Sequence, residues 1–132
     1  MTKTYVDSGV LIAVVRGDPL FARQALSVLE DSNRTFVASV FLRLELLPKA
    51  IYHRNRSEVA FYEGFFARAA DWAGPVERVM ELAEQTAAQH GLNALDALHV
   101  AAALTLGAEE FVTTERSSKP LHRVTGIKVM SI

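Results

Sequence analysis

Polar and apolar residues along the chain follow two periods, and each period predicts one kind of element. Short runs rich in β-branched and aromatic residues, bounded by turn residues, predict strands. These runs are TYVD, TFVAS, EEFVTT and IKVMSI, and DWAGP is either a loop or a very short further strand. Between them, apolar residues recur at helical spacing, which predicts amphipathic helices.

The predicted helices begin and end at residues that commonly cap helices. Starts are predicted at Asp18, Ser39, Ser57, Pro75 and Asn93, and ends at Gly17 and Gly91. The helix after Ser39 contains Pro48. Because proline lacks a backbone N–H, we expect a kink or an irregular turn at that position.

Strands that alternate with helices predict a parallel sheet with helices on both faces, in one domain spanning residues 1–132. In such sheets, functional groups collect at the carboxyl ends of the strands and at the adjoining helix starts. Asp7 and Glu115 each end a predicted strand. Glu45 lies two turns into a helix that follows a strand, and Asp96 lies in the first turn of its helix. We therefore expect these four acids to converge on one edge of the sheet.

Carboxylates held close together raise each other's pKa values, so a fold that gathers them needs a compensating positive charge. Mg²⁺ and Mn²⁺ prefer carboxylate oxygen and leave coordination positions open for water and phosphate. Two such ions about 4 Å apart can activate a water and stabilise the leaving oxygen in phosphodiester cleavage. The four acids therefore predict a metal-dependent hydrolase that needs no catalytic histidine or cysteine.

Three of the four acids also have an ordinary structural explanation. Asp7 could end its strand by accepting hydrogen bonds in a turn, and Glu45 could pair with Lys49 one turn further along its helix. Asn93 and Asp96 have the spacing of a capping box, and an acid in the first turn also interacts favourably with the helix dipole. The presence of all four acids favours metal binding by Asp7, and capping by Asp96 does not exclude metal binding.

Ser8 and Thr113 are the predicted supporting residues of the site. Ser8 either orients Asp7 or contacts phosphate, or it is a plain turn hydroxyl. Thr113 either holds a metal-bound water or ends its strand, as β-branched residues commonly do. His99, one turn after Asp96, is expected to pack or to form a hydrogen bond and not to bind metal.

Composition narrows the class of protein. The 132 residues suit one domain with a sizeable core, and the apolar fraction of 50% with 22% charged residues is typical of globular proteins. The chain has no cysteine, which excludes disulfides and thiolate metal sites. No apolar run approaches the roughly 18 residues of a membrane span, and the start of the chain lacks a secretory cleavage pattern. We therefore expect a cytoplasmic protein without membrane contact.

Charge is small overall but unevenly distributed. The net charge is −1, whereas residues 71–115 hold eight acids and one base, and residues 116–128 hold four bases and no acid. An acidic centre beside a basic flank suits a metal site within a phosphate-binding rim. Arg116, Lys119 and Arg123 are the predicted contacts to nucleic-acid phosphates, although charge counts alone favour ordinary solvated helix faces.

The segments YVDSGVLI, SVFLRLELL, LDALHVAAAL and FVTTERS each contain one of the four acids and together extend over essentially the whole chain. In order and spacing they resemble the four motifs of the PIN-domain ribonucleases. The resemblance implies a three-layer α/β sandwich with a mostly parallel, five-stranded sheet flanked by helices. Asp7, Glu45 and Asp96 match the first three family acids. Glu115 stands where the family commonly has Asp, and Gly9 stands where a small polar residue is common.

Single PIN domains of this size resemble the VapC-type toxins of toxin–antitoxin pairs. The resemblance therefore implies a ribonuclease that uses Mg²⁺ or Mn²⁺ at the four acids, with RNA as substrate, a small antitoxin as partner and a homodimer as the expected assembly. Tyr62, Phe65 and Phe66 would form an apolar face for self-association or for an antitoxin. The alternative is a catalytically degraded PIN-like module that binds RNA or protein, which Glu115 in place of Asp favours.

Overall fold

The structure, a computed structural model, describes residues 1–132 and is built on one parallel sheet of four strands. The strands are β1 (Thr2–Val6), β2 (Arg34–Val37), β3 (Glu110–Thr113) and β4 (Lys128–Ser131). Their order across the sheet is β2-β1-β3-β4, so β1 and β3 lie side by side in the middle. Both central strands end at a candidate acid, and their parallel pairing brings those two ends together.

Six α-helices and one short 3₁₀-helix connect the strands. They are α1 (Ser8–Arg16), α2 (Ala22–Leu29), α3 (Val40–Tyr52), α4 (Arg56–Arg68), α5 (Val76–His90), α6 (Ala94–Thr105) and the 3₁₀-helix Pro120–Arg123. Ser39 begins α3 by accepting a hydrogen bond from the Leu42 N–H at 3.1 Å, and Asn93 begins α6. Gly17 and Gly91 end α1 and α5 in the left-handed conformation that favours glycine. These predicted caps are confirmed.

Strand side chains alternate between the two faces of the sheet, and a separate apolar cluster covers each face. On one face, Tyr5, Val37 and Phe111 pack with α5 and α6. On the other face, Val6 and Val112 pack with α1, α2, α3 and α4. The alternation follows from the two-residue period of a strand. The predicted α/β sandwich with a parallel sheet is therefore confirmed.

The predicted five-stranded sheet is wrong by one strand. The segment around Trp72 makes a single parallel bridge to Ala38, just beyond β2, and forms no regular strand. The Ala38 N–H donates to the Asp71 carbonyl at 3.0 Å, and the Ala73 N–H donates to the Ala38 carbonyl at 3.0 Å. The pairing stops after this bridge, because Ser39 caps α3 and the chain leaves the sheet at Val40, while Pro75 on the other segment precedes α5.

Three helix details also differ from the predictions. The Asp18 carboxylate accepts two backbone N–H groups at 2.8 and 3.1 Å and caps a turn, so α2 begins later, at Ala22. Asn55, not Ser57, caps α4. The predicted irregular turn at Pro48 is absent, since α3 continues unbroken through this exposed proline. No helix is both long and apolar enough to span a membrane.

A buried ion pair holds the amino-terminal edge of the sheet. Arg34 Nε donates to Glu110 Oε1 at 2.5 Å, and the Thr4 hydroxyl donates to the same oxygen at 2.7 Å. Arg34 also pairs with Asp31 at 3.1 Å. Burial raises the pKa of Glu110, but Arg34 and Thr4 outweigh burial and hold that pKa below its ordinary value. This cluster ties β2, β1 and β3 together at the edge opposite the candidate acids.

Candidate active site

Asp7 leaves the carboxyl end of β1 and caps α1. Its Oδ1 accepts the Gly9 N–H at 2.7 Å, and its Oδ2 accepts the Thr113 hydroxyl at 2.7 Å. The turn hydrogen bond predicted as an ordinary explanation is therefore present, but the second oxygen is held by the neighbouring strand. Burial raises the pKa of Asp7. The hydrogen bonds from Thr113 and Gly9 lower that pKa by less, so it stays above its ordinary value.

Thr113 connects Asp7 to the segment that carries Glu115. Its buried hydroxyl donates to Asp7 and accepts the Glu115 N–H at 3.0 Å. The Glu115 carbonyl accepts from Ser131 Oγ at 2.6 Å and contacts His122 Nε2 at 3.1 Å. The backbone of Glu115 is thus held on two sides, whereas its half-buried carboxylate makes no hydrogen bond and no ion pair.

Asp96 lies in the first turn of α6. Its N–H donates to Asn93 Oδ1 at 2.8 Å, so Asn93 caps the helix as predicted. The other half of a capping box is absent, because Asp96 Oδ2 accepts the side-chain amide of Asn93 at 3.0 Å and not its backbone N–H. The second carboxylate oxygen is free. Burial raises the pKa of Asp96, and the negative charges of Glu115 and Glu45 raise it further.

Glu45 projects from α3 with its side chain 27% exposed, and His99 Nε2 lies 2.9 Å from its Oε1. Burial raises the pKa of Glu45, but the interaction with His99, together with Ser8 and Lys49, outweighs burial and lowers that pKa. Lys49 acts only as a nearby charge and makes no ion pair, so the predicted Glu45–Lys49 pair is absent. Glu45 is therefore an ionised group with one oxygen held by histidine.

The charge of Asp96 interacts with the charges of the other three acids. Its charge raises the pKa of Asp7, and the charges of Glu45 and Glu115 raise its own pKa. No three His, Asp or Glu side chains lie close enough, as they stand, to share one metal ion. The four candidate groups nevertheless suit a hard cation, because all are carboxylates and a cation between them would reduce their mutual repulsion.

The supporting residues are only partly where the sequence predicted them. Ser8 makes no hydrogen bond to Asp7 and instead lies near Glu45, whose pKa it lowers. At Gly9, a Cβ would collide with Thr114 Oγ1 and would stand 3.3 Å from Asp7 Oδ1. The small polar residue common in the family is therefore excluded here by the threonine from the neighbouring strand end.

Sequence reasoning missed a buried polar chain behind Glu45. Tyr5 Oη lies 2.6 Å from His99 Nδ1 and 2.7 Å from Ser39 Oγ, and all three residues are buried. His99 was expected to pack or to form a hydrogen bond, which is confirmed. The sequence feature that could have revealed this chain is the presence of polar groups at positions expected to be buried. Tyr5 lies two residues before Asp7, and His99 lies on the apolar helix that carries Asp96.

The predicted RNA contacts lie on the segment after β3. Arg116, Lys119 and Arg123 are exposed, and Arg116 and Lys119 make no ion pair. Arg123 Nη1 donates weakly to the His90 carbonyl at 3.4 Å. Arg116 directly follows Glu115, so the basic segment starts beside the candidate acids.

The predicted aromatic face is smaller than expected. Tyr62 and Phe66 are buried in the core, because they turn inward from α4 towards the sheet. Phe61 and Phe65 instead line a groove of about 390 Å³ between α2 and α4. This groove is mainly apolar, with Glu30 and Arg68 among the residues that line it.

Comparison with known proteins agrees with this arrangement. Residues 4–124 match the PIN domain family, so the chain belongs to that family. No curated protein matches its sequence significantly.

Solved structures share the fold at low sequence identity. The VapBC2 complex of Rickettsia felis, bound to a DNA fragment from its promoter, has a TM-score of 0.73 and 16% identity over 99% of both chains. DNA-bound VapBC of Salmonella typhimurium has a TM-score of 0.70 and 20% identity over 99% of this chain and 98% of that one. A toxin–antitoxin complex from Klebsiella pneumoniae has a TM-score of 0.71 and 17% identity over 97% and 96%. These similarities show the fold.

Proposed function

We propose that this chain is a metal-dependent endoribonuclease and the toxin of a toxin–antitoxin pair. The observation that carries the proposal is the field of four carboxylates around Asp96, at the edge where β1 and β3 end. A protein gains no stability from desolvating acids beside one another, so their grouping indicates a cation site. VapC-like members of the PIN family are generally nucleases, which supports the same conclusion.

Asp7, Glu45, Asp96 and Glu115 would hold Mg²⁺ or Mn²⁺ at the place where the scissile phosphate binds. When bound, the cation activates water and stabilises the leaving oxygen. Asp7 is oriented by its two hydrogen bonds and Glu45 by His99. The free Glu115 carboxylate, one methylene longer than Asp, has the reach to bind metal or to orient the attacking water.

Arg116 and Lys119 would contact RNA phosphates on the Glu115 side of the site. Both side chains are exposed and without an ion pair, so no intramolecular bond has to break before they meet a phosphate. Arg123 lies further along the same segment and is held weakly to the His90 carbonyl. Contacts to phosphate do not depend on the RNA sequence, and they weaken as the salt concentration rises.

The partners follow from two exposed apolar surfaces. The groove between α2 and α4 suits an amphipathic antitoxin helix, and the structural neighbours are VapBC and toxin–antitoxin complexes. On α3, Leu44, Ile51 and Tyr52 are 70%, 58% and 81% exposed. We propose this face of α3 as the homodimer contact, because a soluble monomer rarely exposes such side chains together.

The test is cleavage of a mixed set of labelled RNAs by the purified, partner-free chain with Mg²⁺, Mn²⁺ or EDTA. Asp96→Asn is the variant expected to be inactive, and Asp71→Asn is the matched control, since Asp71 is exposed and its carboxylate accepts only the neighbouring Trp72 N–H. We expect metal-dependent cleavage by wild type and by Asp71→Asn, and none by Asp96→Asn. Equal behaviour of folded wild type and Asp96→Asn on every RNA would refute the nuclease.

The second candidate is a PIN-like module that binds RNA or protein without cleaving it. The spacing of the acids favours it, because no three of them can share one ion without side-chain movement. The two functions differ in how Mn²⁺ affects thermal unfolding. A nuclease predicts that Mn²⁺ raises the unfolding temperature of wild type but not of Asp96→Asn, whereas an inert module predicts no effect on either protein.

A further inference from the structure

Four consecutive hydrogen bonds run from the start of α3 through the core to the Glu45 carboxylate. The Leu42 N–H donates to Ser39 Oγ at 3.1 Å, and Ser39 Oγ lies 2.7 Å from Tyr5 Oη. Tyr5 Oη lies 2.6 Å from His99 Nδ1, and His99 Nε2 lies 2.9 Å from Glu45 Oε1. The chain joins β1, α3 and α6.

The first bond sets the direction of the others. Ser39 Oγ accepts the Leu42 N–H, and Ser39 is fully buried with Tyr5 as its other partner, so Tyr5 Oη is the one acceptor within reach of the Ser39 proton. The Tyr5 hydroxyl then donates to His99 Nδ1. The reverse order, with Tyr5 donating to Ser39, would leave the Ser39 proton without an acceptor, and an unpaired buried donor costs free energy.

An acceptor at Nδ1 leaves the proton of a neutral imidazole on Nε2. His99 Nε2–H then donates to Glu45 Oε1. We infer that Tyr5 and Ser39 fix this tautomer and that His99 is thereby a positioning residue, which binds one oxygen of Glu45 and leaves the other oxygen for a divalent cation. This inference rests on the proposed function, since it assigns a role toward the same cation.

The location of His99 explains why such a device is needed. Glu45 is flanked by Leu44 and Leu46, and no side chain of its own helix donates a hydrogen bond to it, since Lys49 acts only as a nearby charge. His99 is only 3% exposed, and its ring is tilted against Tyr5 with centroids 5.7 Å apart. A buried ring held at both nitrogens restricts the Glu45 rotamer more firmly than a flexible lysine would.

The first test reads the tautomer directly in the metal-free protein. Nitrogen-15 NMR of the His99 ring should show Nε2–H with an unprotonated Nδ1 in wild type at neutral pH. Because an ionised Glu45 also requires a proton on Nε2, the role of Tyr5 is read in Glu45→Gln, whose amide can either donate or accept. Nε2–H should persist in Glu45→Gln, and adding Tyr5→Phe should give a mixture of tautomers. A wild-type ring with its proton on Nδ1, or an identical tautomer in Glu45→Gln with and without Tyr5→Phe, would overturn the inference.

The second test measures Mn²⁺ affinity by the paramagnetic signal of free Mn²⁺. His99→Leu should weaken binding by about 10- to 100-fold, as loss of a partner behind a metal ligand typically does. His99→Gln, whose amide can still donate to Glu45, should stay within about 3-fold of wild type, on the same scale. Val100→Ala is the matched control for lost packing, because Val100 is the next residue of α6 and is fully buried.

The outcomes separate this inference from the proposed function. If wild type binds Mn²⁺ and cleaves RNA but His99→Leu binds Mn²⁺ equally well, the positioning role is wrong and the nuclease stands. If Val100→Ala weakens Mn²⁺ binding as much as His99→Leu does, the effect is one of packing and the inference fails. If wild type binds no Mn²⁺, the proposed function fails, and the role of His99 toward the cation fails with it.

Discussion

Replacing Thr113 by valine tests the hydrogen bonds that join the two central strand ends. Thr113 is fully buried, and valine has nearly the same shape, so the substitution removes the hydroxyl with little change in packing. Two hydrogen bonds are lost: the one to Asp7 Oδ2 at 2.7 Å and the one from the Glu115 N–H at 3.0 Å. Thr113→Ser keeps the hydroxyl and serves as the control.

The expected loss of stability follows from the two partners. A hydrogen bond to a charged group contributes about 1.5–3 kcal/mol, and a neutral one contributes about 0.5–1.5 kcal/mol. We therefore expect Thr113→Val to lower the free energy of unfolding by about 2–4 kcal/mol at neutral pH, on the same scale. Thr113→Ser retains both bonds and loses one methyl group, which should cost about 1 kcal/mol.

The pH dependence provides a second check. Burial raises the pKa of Asp7, and the Thr113 hydrogen bond opposes burial, so Thr113→Val should raise that pKa further. A carboxyl whose folded-state pKa is raised destabilises the fold above that pKa, and this destabilisation disappears below its unfolded-state value. The difference between wild type and Thr113→Val should therefore shrink as pH falls through the folded-state pKa of Asp7.

The measurement is urea-induced unfolding of the partner-free chain in EDTA, across a series of pH values. EDTA removes any cation that would mask the repulsion between the acids. The reasoning is refuted if Thr113→Val and Thr113→Ser have the same stability at neutral pH. It is also refuted if the loss caused by valine grows as the solution is acidified.

Three further outcomes are expected elsewhere in the chain. Arg34→Met should lower the free energy of unfolding, measured in urea, by about 3–5 kcal/mol, because it leaves the buried Glu110 carboxylate without its partner. Adding Glu110→Gln to that variant should restore part of the loss. Arg34 lowers the pKa of Glu110 in the folded protein. The stability that this pair contributes is therefore present above the unfolded-state pKa of Glu110 and disappears as pH falls through the folded-state pKa. The cost of Arg34→Met should accordingly be smallest in acid. Gly9→Ala should destabilise by about 1–3 kcal/mol through its collision with Thr114, whereas adding Thr114→Ala should reverse that loss, and additive effects would disprove the contact. Lys119→Gln should weaken RNA binding and make the slope of log affinity against log salt shallower by about 1, and an unchanged slope would remove Lys119 from the interface.

The elements of the fold could be predicted because their causes are local. Ser39 and Asn93 cap helices through hydrogen bonds to residues three positions away, and Gly91 ends α5 because its backbone is left-handed. The missing fifth strand could not be predicted from DWAGP. A strand exists only through its partner, and the partner here accepts a single bridge at Ala38.

The sequence by itself determined that Asp7 and Glu115 follow the two central strands, and the helices between parallel strands place Glu45 and Asp96 near enough for the charges to interact. Only the tertiary structure decided how each acid is held. Thr113 and Asp7 are 106 residues apart, and His99 and Glu45 are 54 apart, so no local pattern records these hydrogen bonds. The balance of burial and charge that raises the pKa of Asp96 and lowers that of Glu45 likewise depends on neighbours from other segments, since desolvation and Coulomb interactions act through space and not along the chain.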